Sequence, residues 1–386
     1  LMLYRLVRTH LTPYAASLLV LLALQFVATI ASLYLPSLNG RIIDEGVAVG
    51  DTAFIMKAGA AMLAVSLVQI AATIAATRIG AKSAASLGRD VRARVFRTVG
   101  AFSAQELSRF GAPTLISRST NDVTQVQTVV YMFLAMMVSA PIMMVGGIVM
   151  ALREDAGLSW LVAVAVPALA IAIGLVIRQM IPHFRAMQTA VDSVNRILRE
   201  QITGIRVVRA FVREDVERAR FAEANTTYTG TALAVGKLMA LAFPIVMVIF
   251  NASTVAVLWF GAQRVDNGDM QIGALTAFMA YLIQILMSVM MATFMAMMIP
   301  RATVSAGRIQ EVLDTQTSVH APADPVPIPA GPVSVELRGV TFAYPGAEAP
   351  VLHEVARRAE PGPTTAVVGS TGSGQTTLVG GVPRLQ

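Results

Sequence analysis

The charged residues of this chain fall in blocks. Six stretches contain no Asp, Glu, Lys or Arg: residues 14–36, 58–77, 123–152, 156–177, 238–263 and 270–300. A helix rising ~1.5 Å per residue needs about 20 apolar residues to cross ~30 Å of hydrocarbon, so every stretch is long enough. Only helices and closed barrels satisfy the backbone inside a bilayer. These runs are continuous rather than alternating, which predicts six transmembrane helices lying within them.

The connections alternate in length and charge. Spans 1–2, 3–4 and 5–6 are joined by short acidic links carrying Asp44, Glu45 and Asp51, then Glu154 and Asp155, then Asp266 and Asp269. The other two links are long and basic. Residues 78–122 hold eight Lys/Arg against three acids, and residues 178–237 hold ten against six. Arg5 and Arg8 precede the first span. The excess of Lys and Arg puts both long links and both termini in the cytoplasm, as expected of a multi-pass protein of the plasma (inner, cell) membrane.

The long links have their own period. Leu87, Val91, Val95, Val99 and Phe102 step by three or four, as do Val191, Val194, Leu198, Ile202 and Ile205. One apolar stripe with Arg and Asp on the other faces predicts amphipathic helices. Spans 2 and 4 therefore run on into the cytoplasm, turn near residues 103–114 and 204–215, and return as spans 3 and 5. Paired, similarly placed tips suit arms that touch something below the membrane.

Composition agrees. Of 386 residues, 55% are hydrophobic and 14% charged, against roughly 25% charged in a soluble globule. The net charge of +7 and pI of about 10.1 follow from the basic loops. No aromatic–basic platform accompanies them, so nucleic acid is not expected as a partner. With no Cys, disulfides and thiolate metal sites are excluded, and His10, His183, His320 and His353 have no ligand spacing. The first apolar run is too long for a cleavable signal. No span carries an ionisable residue, which argues against ion-coupled transport. Span 6 is rich in methionine (279, 287, 290, 291, 295, 297 and 298). Such side chains adapt to varied ligands, though helix packing is their commoner use.

After Pro300 the composition changes. Residues 316–332 hold five prolines and no helical period, which reads as a linker. Val333, Val335 and Leu337 alternate with polar neighbours, predicting a strand with one buried face. Residues 364–369 (TTAVVG) predict a second short strand running into GSTGSGQTTL, residues 369–378. Strand, glycine loop and helix form the context in which backbone N–H groups cradle phosphate.

Together these residues resemble an ATP-binding-cassette (ABC) exporter half-transporter of the bacterial multidrug/lipid type. The membrane half carries RIIDEGV (41–47), RFGAPTLISRSTNDV (109–123), GIRVVRAFVRE (204–214) with Phe221 and Asn225, and GRIQEVLD (307–314). The tail carries VTFAYPG (340–346), VLHEV (351–355) and the glycine loop. The resemblance implies an all-α polytopic membrane protein with the type 1 exporter fold, followed by a partial α/β P-loop nucleotide-binding domain. The divisions are 1–315 for the transmembrane domain, 316–332 for the linker and 333–386 for the cassette fragment. It implies ATP and Mg²⁺ as cofactors. Tyr344 would stack on adenine, and Gly369, Ser370, Thr371, Gly372, Ser373, Gly374, Gln375, Thr376 and Thr377 would form the phosphate site, with Thr376 as the Mg²⁺ ligand. It also implies a homo- or heterodimer with another half-transporter, and loop tips that dock on nucleotide domains, the second on the partner subunit's. The path between subunits would carry a hydrophobic or amphipathic substrate out of the cytoplasm.

Two departures modify that expectation. The family's P-loop lysine is Gln375 here, and a neutral amide forfeits a charge-assisted contact to phosphate. Arg357 and Arg358 also stand where such a strand usually buries apolar groups. The sequence ends at Gln386, ahead of the family's signature motif, catalytic Glu and switch His, and begins with Leu1 before Met2. From these features the chain is expected to have no catalytic residues and to hydrolyse no ATP alone. Three readings stay open: a transport subunit powered by a competent partner, a product of a decaying gene, and a membrane scaffold or regulator that pairs with a full-length exporter.

Overall fold

Helix ends are where the sequence most visibly dictates local structure. In a computed structural model, which describes residues 2–319, 324–327, 330–344 and 346–383, the ends are set by Asp, Ser and Gly side chains and backbone. α1 (Met2–Leu11) and α2 (Ala15–Arg41) lead into a π-helical turn at Ile42–Val47. Asp51 then accepts from the N–H groups of Ala53 and Phe54, both at 3.0 Å, satisfying orphan donors at the start of α3 (Thr52–Gly100). α4 (Ala104–Phe110) and α5 (Ala112–Ser117) are short. A π-turn at Arg118–Asp122 precedes α6 (Val123–Met132), and another at Phe133–Met137 separates it from α7 (Ser139–Glu154). α8 (Ser159–Ala210), α9 (Glu214–Asp266) and α10 (Ile272–Asp314) complete the helical part.

Among the described residues six helical segments are long and apolar enough to cross a membrane: Met2–Val47, Thr52–Gly100, Ala112–Glu154, Ser159–Ala210, Glu214–Asp266 and Ile272–Asp314. Each overlaps one charge-free stretch, the fourth and sixth starting three and two residues inside theirs. The second and fourth spans continue as helix beyond bilayer length, as their stripes require.

The chain forms two compact units, one of residues 13–83 and 129–300, the other of residues 1–12, 84–128 and 301–386. In the first, Phe278, Tyr281 and Ile285 of α10 are fully buried in one cluster with Leu33 of α2, Leu169 of α8 and Val257 of α9. The Tyr281 hydroxyl donates to Leu33 O at 2.8 Å, so its polar end is satisfied. Asp155 ties the short 3–4 link to the end of α9. Its Oδ1 accepts from Leu158 N and its Oδ2 from Arg264 Nε, both at 2.8 Å.

In the second unit, Leu87, Val91 and Val95 are buried as their spacing predicts. Ser103 and Glu106 form a capping box at α4. The Glu106 carboxylate accepts from Ser103 N at 2.8 Å and Ser103 Oγ at 2.7 Å, and also from Ser318 N at 3.1 Å. The segment after α10 is thereby fastened to the link between the second and third spans. Burial alone would raise this carboxyl, but the hydrogen bonds from Ser103 and Ser318 outweigh it and hold Glu106 below its ordinary value.

The second loop stripe forms the expected helix, and on it Leu198 and Ile202 are exposed while the neighbouring Ile197 and Ala190 are buried. This chain alone supplies nothing to cover that face. Two expectations, the strand at 364–369 and the buried face of Val333 and Val335, need correction. Residues 364–370 form no strand, and Val368 is 88% exposed. The described sheet has only β1 (Val335–Phe342) and β2 (Leu352–Ala359), paired antiparallel, and a lone extended segment has no ladder to join. Val333 and Val335 are exposed rather than buried, although Val335 pairs with Ala359 in the ladder. Arg357 and Arg358 point outward, Arg358 pairing with Glu360 at 2.8 Å. Of the predicted linker, residues 320–323, which include His320, and 328–329 lie outside the described residues, as do Pro345 of VTFAYPG and residues 384–386.

Candidate functional site

Two places gather the residues that the sequence singles out. One is an apolar cavity of about 530 Å³ in the first unit. Met132 and Met136 reach it from the α6–α7 region, Met180 from α8, Met239 from α9, and Met287, Met290, Met291 and Met297 from α10. The remaining wall is aliphatic or aromatic, including Phe243 and Phe294. Its one polar lining group is Thr293, whose hydroxyl is already spent on Val289 O at 2.8 Å. No lining residue carries a charge. Eight unbranched thioether side chains make a wall that can repack around ligands of different shape, and the volume suits a small molecule. An ion would lose its hydration there with nothing in return.

Four of the span 6 methionines, Met287, Met290, Met291 and Met297, stand in this wall. Met279 and Met295 serve packing instead, Met295 being fully buried. The four methionines from other helices went unnoticed. Their signal was present in the i, i+4 pair Met132 and Met136, which shares a helix face.

The second place is the glycine loop ahead of α11 (Gln375–Gly381). Gly372 and Gly374 take φ of 90° and 87°, left-handed values that suit glycine. A Cβ at Gly374 would come within 3.0 Å of Leu352 Cδ2, and one at Gly369 would collide with Ser373 Oγ. The loop therefore has the close, side-chain-free backbone that a phosphate cradle requires. The structure brings Gly369, Ser373, Gly374 and Gln375 together. Gln375 Nε2 donates to Gly369 O at 3.1 Å, closing the loop on itself. Thr376 is exposed beside a shallow cleft of about 500 Å³ that Gln375, Thr365, Val367 and Val379 also line. Ser370 and Thr371 are exposed on the loop. Thr377 points inward, hydrogen-bonded to the Tyr344 hydroxyl at 2.9 Å. Tyr344 packs edge-on against Phe342 and is 41% exposed, leaving ring surface open. These residues fit a phosphate-bearing ligand through backbone and hydroxyl groups. Gln375 offers a neutral donor where the family has a cation.

A further feature is the tip between α8 and α9. Phe211 is 73% and Val212 82% exposed, with Val207 and Val216 also bare. Val212 sits at φ 50°, an unusual place for a β-branched residue.

Comparison with known proteins bears on both places. The profile of the ABC transporter transmembrane region matches residues 18–289. An uncharacterized ABC transporter ATP-binding protein of Mycobacterium tuberculosis is 49% identical over 386 residues, all of this chain and 66% of that relative. An uncharacterized ABC transporter ATP-binding protein of Bacillus subtilis is 31% identical over 377 residues, 98% of this chain and 65% of its own length. A fatty acid ABC transporter ATP-binding/permease protein of Mycobacterium bovis is 32% identical over 266 residues, 69% of this chain and 42% of the relative. The chain thus spans just under two thirds of the length of the first relatives it matches.

Proposed function

This chain belongs to the ABC transporter transmembrane-region family, and we propose that it is one half of an ATP-driven exporter that moves uncharged, apolar bodies out of the cytoplasm. The methionine-lined cavity carries the reading: it lies among membrane-length helices and has no charged lining. A hydrophobic ligand, or the hydrophobic part of an amphiphile, is what such a wall favours. The name of the fatty acid ABC transporter relative is in keeping with that class.

Transport of this type needs a second subunit. The exposed Phe211–Val212 tip and the bare Ile202 face support contact with a partner's cytoplasmic domain, in a homo- or heterodimer held in the plasma membrane with both termini inside. ATP is the power source, held by Tyr344 and residues 369–377, with Thr376 placed to hold Mg²⁺. Gln375 favours a second reading of that site, in which this subunit binds nucleotide weakly and a partner subunit supplies most of the turnover.

The experiment is accumulation of an uncharged apolar dye in cells. Expression should lower accumulation, and Met291→Arg, which puts a charge into the cavity wall, should restore it. Equal accumulation with and without the protein would overturn the exporter reading.

A further inference from the structure

The chain has 21 methionines and no cysteine. With no thiol to intercept an oxidant, the thioether sulfur is its most readily oxidised group. Eight of those sulfurs belong to the wall of one cavity. Five of the eight, Met136, Met239, Met287, Met291 and Met297, are exposed, by 38% to 54%. Met295, on the same helix as three of them, is 1% exposed and lies outside the wall.

Oxidation of these side chains would change the one property on which the cavity depends. A methionine sulfoxide is polar where the thioether is apolar, and its oxygen is a hydrogen-bond acceptor. The wall has no donor to meet it. The lining is apolar except for Thr293, whose hydroxyl already donates to Val289 O at 2.8 Å, and no lining residue carries a charge. Each sulfoxide therefore either leaves an unpaired oxygen against the ligand or draws in water that competes with it. Met287 and Met291 stand one turn apart on α10, so sulfoxides there fall side by side on one helix face.

We propose that the exposed methionines of the cavity wall are an oxidation site: an uncharged two-electron oxidant, such as hypochlorous acid, converts them to sulfoxides, and the cavity thereby loses its affinity for apolar ligands. The inference rests on the reading of the cavity as the ligand space. In each event the sulfur gives up two electrons and gains one oxygen. The chlorine atom takes the two electrons and leaves as chloride, with release of one proton. An uncharged oxidant is required because an anion gains nothing from this wall in exchange for its hydration.

The test uses the full chain in nanodiscs, with N-phenyl-1-naphthylamine, uncharged and fluorescent in apolar surroundings, as the ligand. The chain is treated with hypochlorous acid, quenched with free methionine, and mapped by peptide mass spectrometry. Sulfoxide should appear at the five wall positions and at the exposed Met2 and Met56 outside the wall, and not at Met295. Binding of the ligand should weaken by about tenfold or more relative to the untreated chain, with helix content by circular dichroism unchanged. The five wall residues are then replaced together by leucine, which nearly keeps their volume, and each chain serves as its own reference before and after treatment. In the leucine variant Met2 and Met56 should still oxidise, yet the affinity should stay within about twofold of its own untreated value. An equal loss in both chains overturns the proposal, because the damage then lies elsewhere. So does undiminished binding by the oxidised native chain, or a loss of helix on treatment. If the fivefold variant does not fold or bind, the pair Met287→Leu and Met291→Leu takes its place and should lose several-fold less affinity on oxidation than the native chain; an equal loss again overturns the idea. Failure of the ligand to bind the untreated native chain would count against the cavity reading. Sparing of the five wall methionines while Met2 and Met56 oxidise counts against this inference alone.

Discussion

Replacing Glu106 should free the segment around Ser318 from the link between the second and third spans. The carboxylate accepts three hydrogen bonds, from Ser103 N, Ser103 Oγ and Ser318 N, and Glu106 is buried. Hydrogen bonds to a charged group contribute about 1.5–3 kcal/mol each, and loss of a cap typically about 1 kcal/mol. The three share one acceptor and are not additive, so Glu106→Ala should cost about 3 kcal/mol of local stability. That is roughly a hundredfold more frequent opening. Hydrogen exchange followed by mass spectrometry should show the amides of Ser103 and Ser318 exchanging roughly a hundredfold faster. Amides in the buried part of α3 around Leu87 should not change. Glu106→Gln keeps the shape and one acceptor, and should lose less.

The same contact makes a pH prediction. The hydrogen bonds hold the folded carboxyl below its ordinary value. The unfolded state therefore binds the proton at higher pH than the folded one. The stabilisation is complete above the unfolded value of about 4.3 and is lost as pH falls through the depressed folded value. Exchange at Ser318 should accelerate only in acid, beyond the intrinsic rate change, and Glu106→Gln should abolish that acceleration. Ser318 exchanging equally fast in the native chain and in Glu106→Ala would refute the reasoning.

Other outcomes follow from the same contacts. Arg264→Ala should leave Asp155 charged and buried, lowering stability by about 2–3 kcal/mol after allowance for the partly exposed guanidinium, read as a lower midpoint of thermal unfolding in detergent. Gln375→Lys should tighten binding of a labelled ATP analogue about tenfold by restoring a charge-assisted contact; unchanged affinity would mean phosphate does not reach that position. Single cysteines at Asp44 and Asp266 should react with an impermeant maleimide from outside sealed cells, and those at Arg92 and Arg209 only after permeabilisation. Phe211→Ala should leave unfolding unaltered, because the side chain is exposed, yet reduce cross-linking of the α8–α9 tip to a partner subunit.

The membrane half was legible because its signals are long and repetitive. Absence of charge over twenty or more residues has one physical meaning in a chain this apolar, and the stripe Leu87, Val91 and Val95 needed only period to be read. The second stripe gave the helix correctly, but an apolar face reports only that something covers it and not what does; the exposed Ile202 is such a position. The expected strand at residues 364–369 failed for a related reason. Strand propensity is local, but a strand exists only where a neighbour supplies its ladder. The glycine loop was legible as a sequence, down to the residues whose Cβ would collide. What could not be read was Gln375 folding back on Gly369, or Gln25 meeting a π-turn 109 residues away. A π-turn has no composition of its own.

The length of the paired helices α8 and α9 has a mechanical consequence. With 52 and 53 residues, each extends about 78 Å at ~1.5 Å per residue, while the hydrocarbon takes up ~30 Å of that. Roughly 45 Å of two-stranded strut is left over, and Phe211 and Val212 sit at its far end. A rotation of about 5° at the bilayer surface, too small to disturb side-chain packing among the spans, sweeps that end through about 4 Å, roughly three quarters of the ~5.4 Å rise of one helical turn. Run in reverse, a push of a few ångströms at the apex arrives at the cavity wall as a torque of high mechanical advantage and small stroke. Pro182 in α8 and Pro244 in α9 interrupt the backbone hydrogen bonding and are the points at which such a strut would flex.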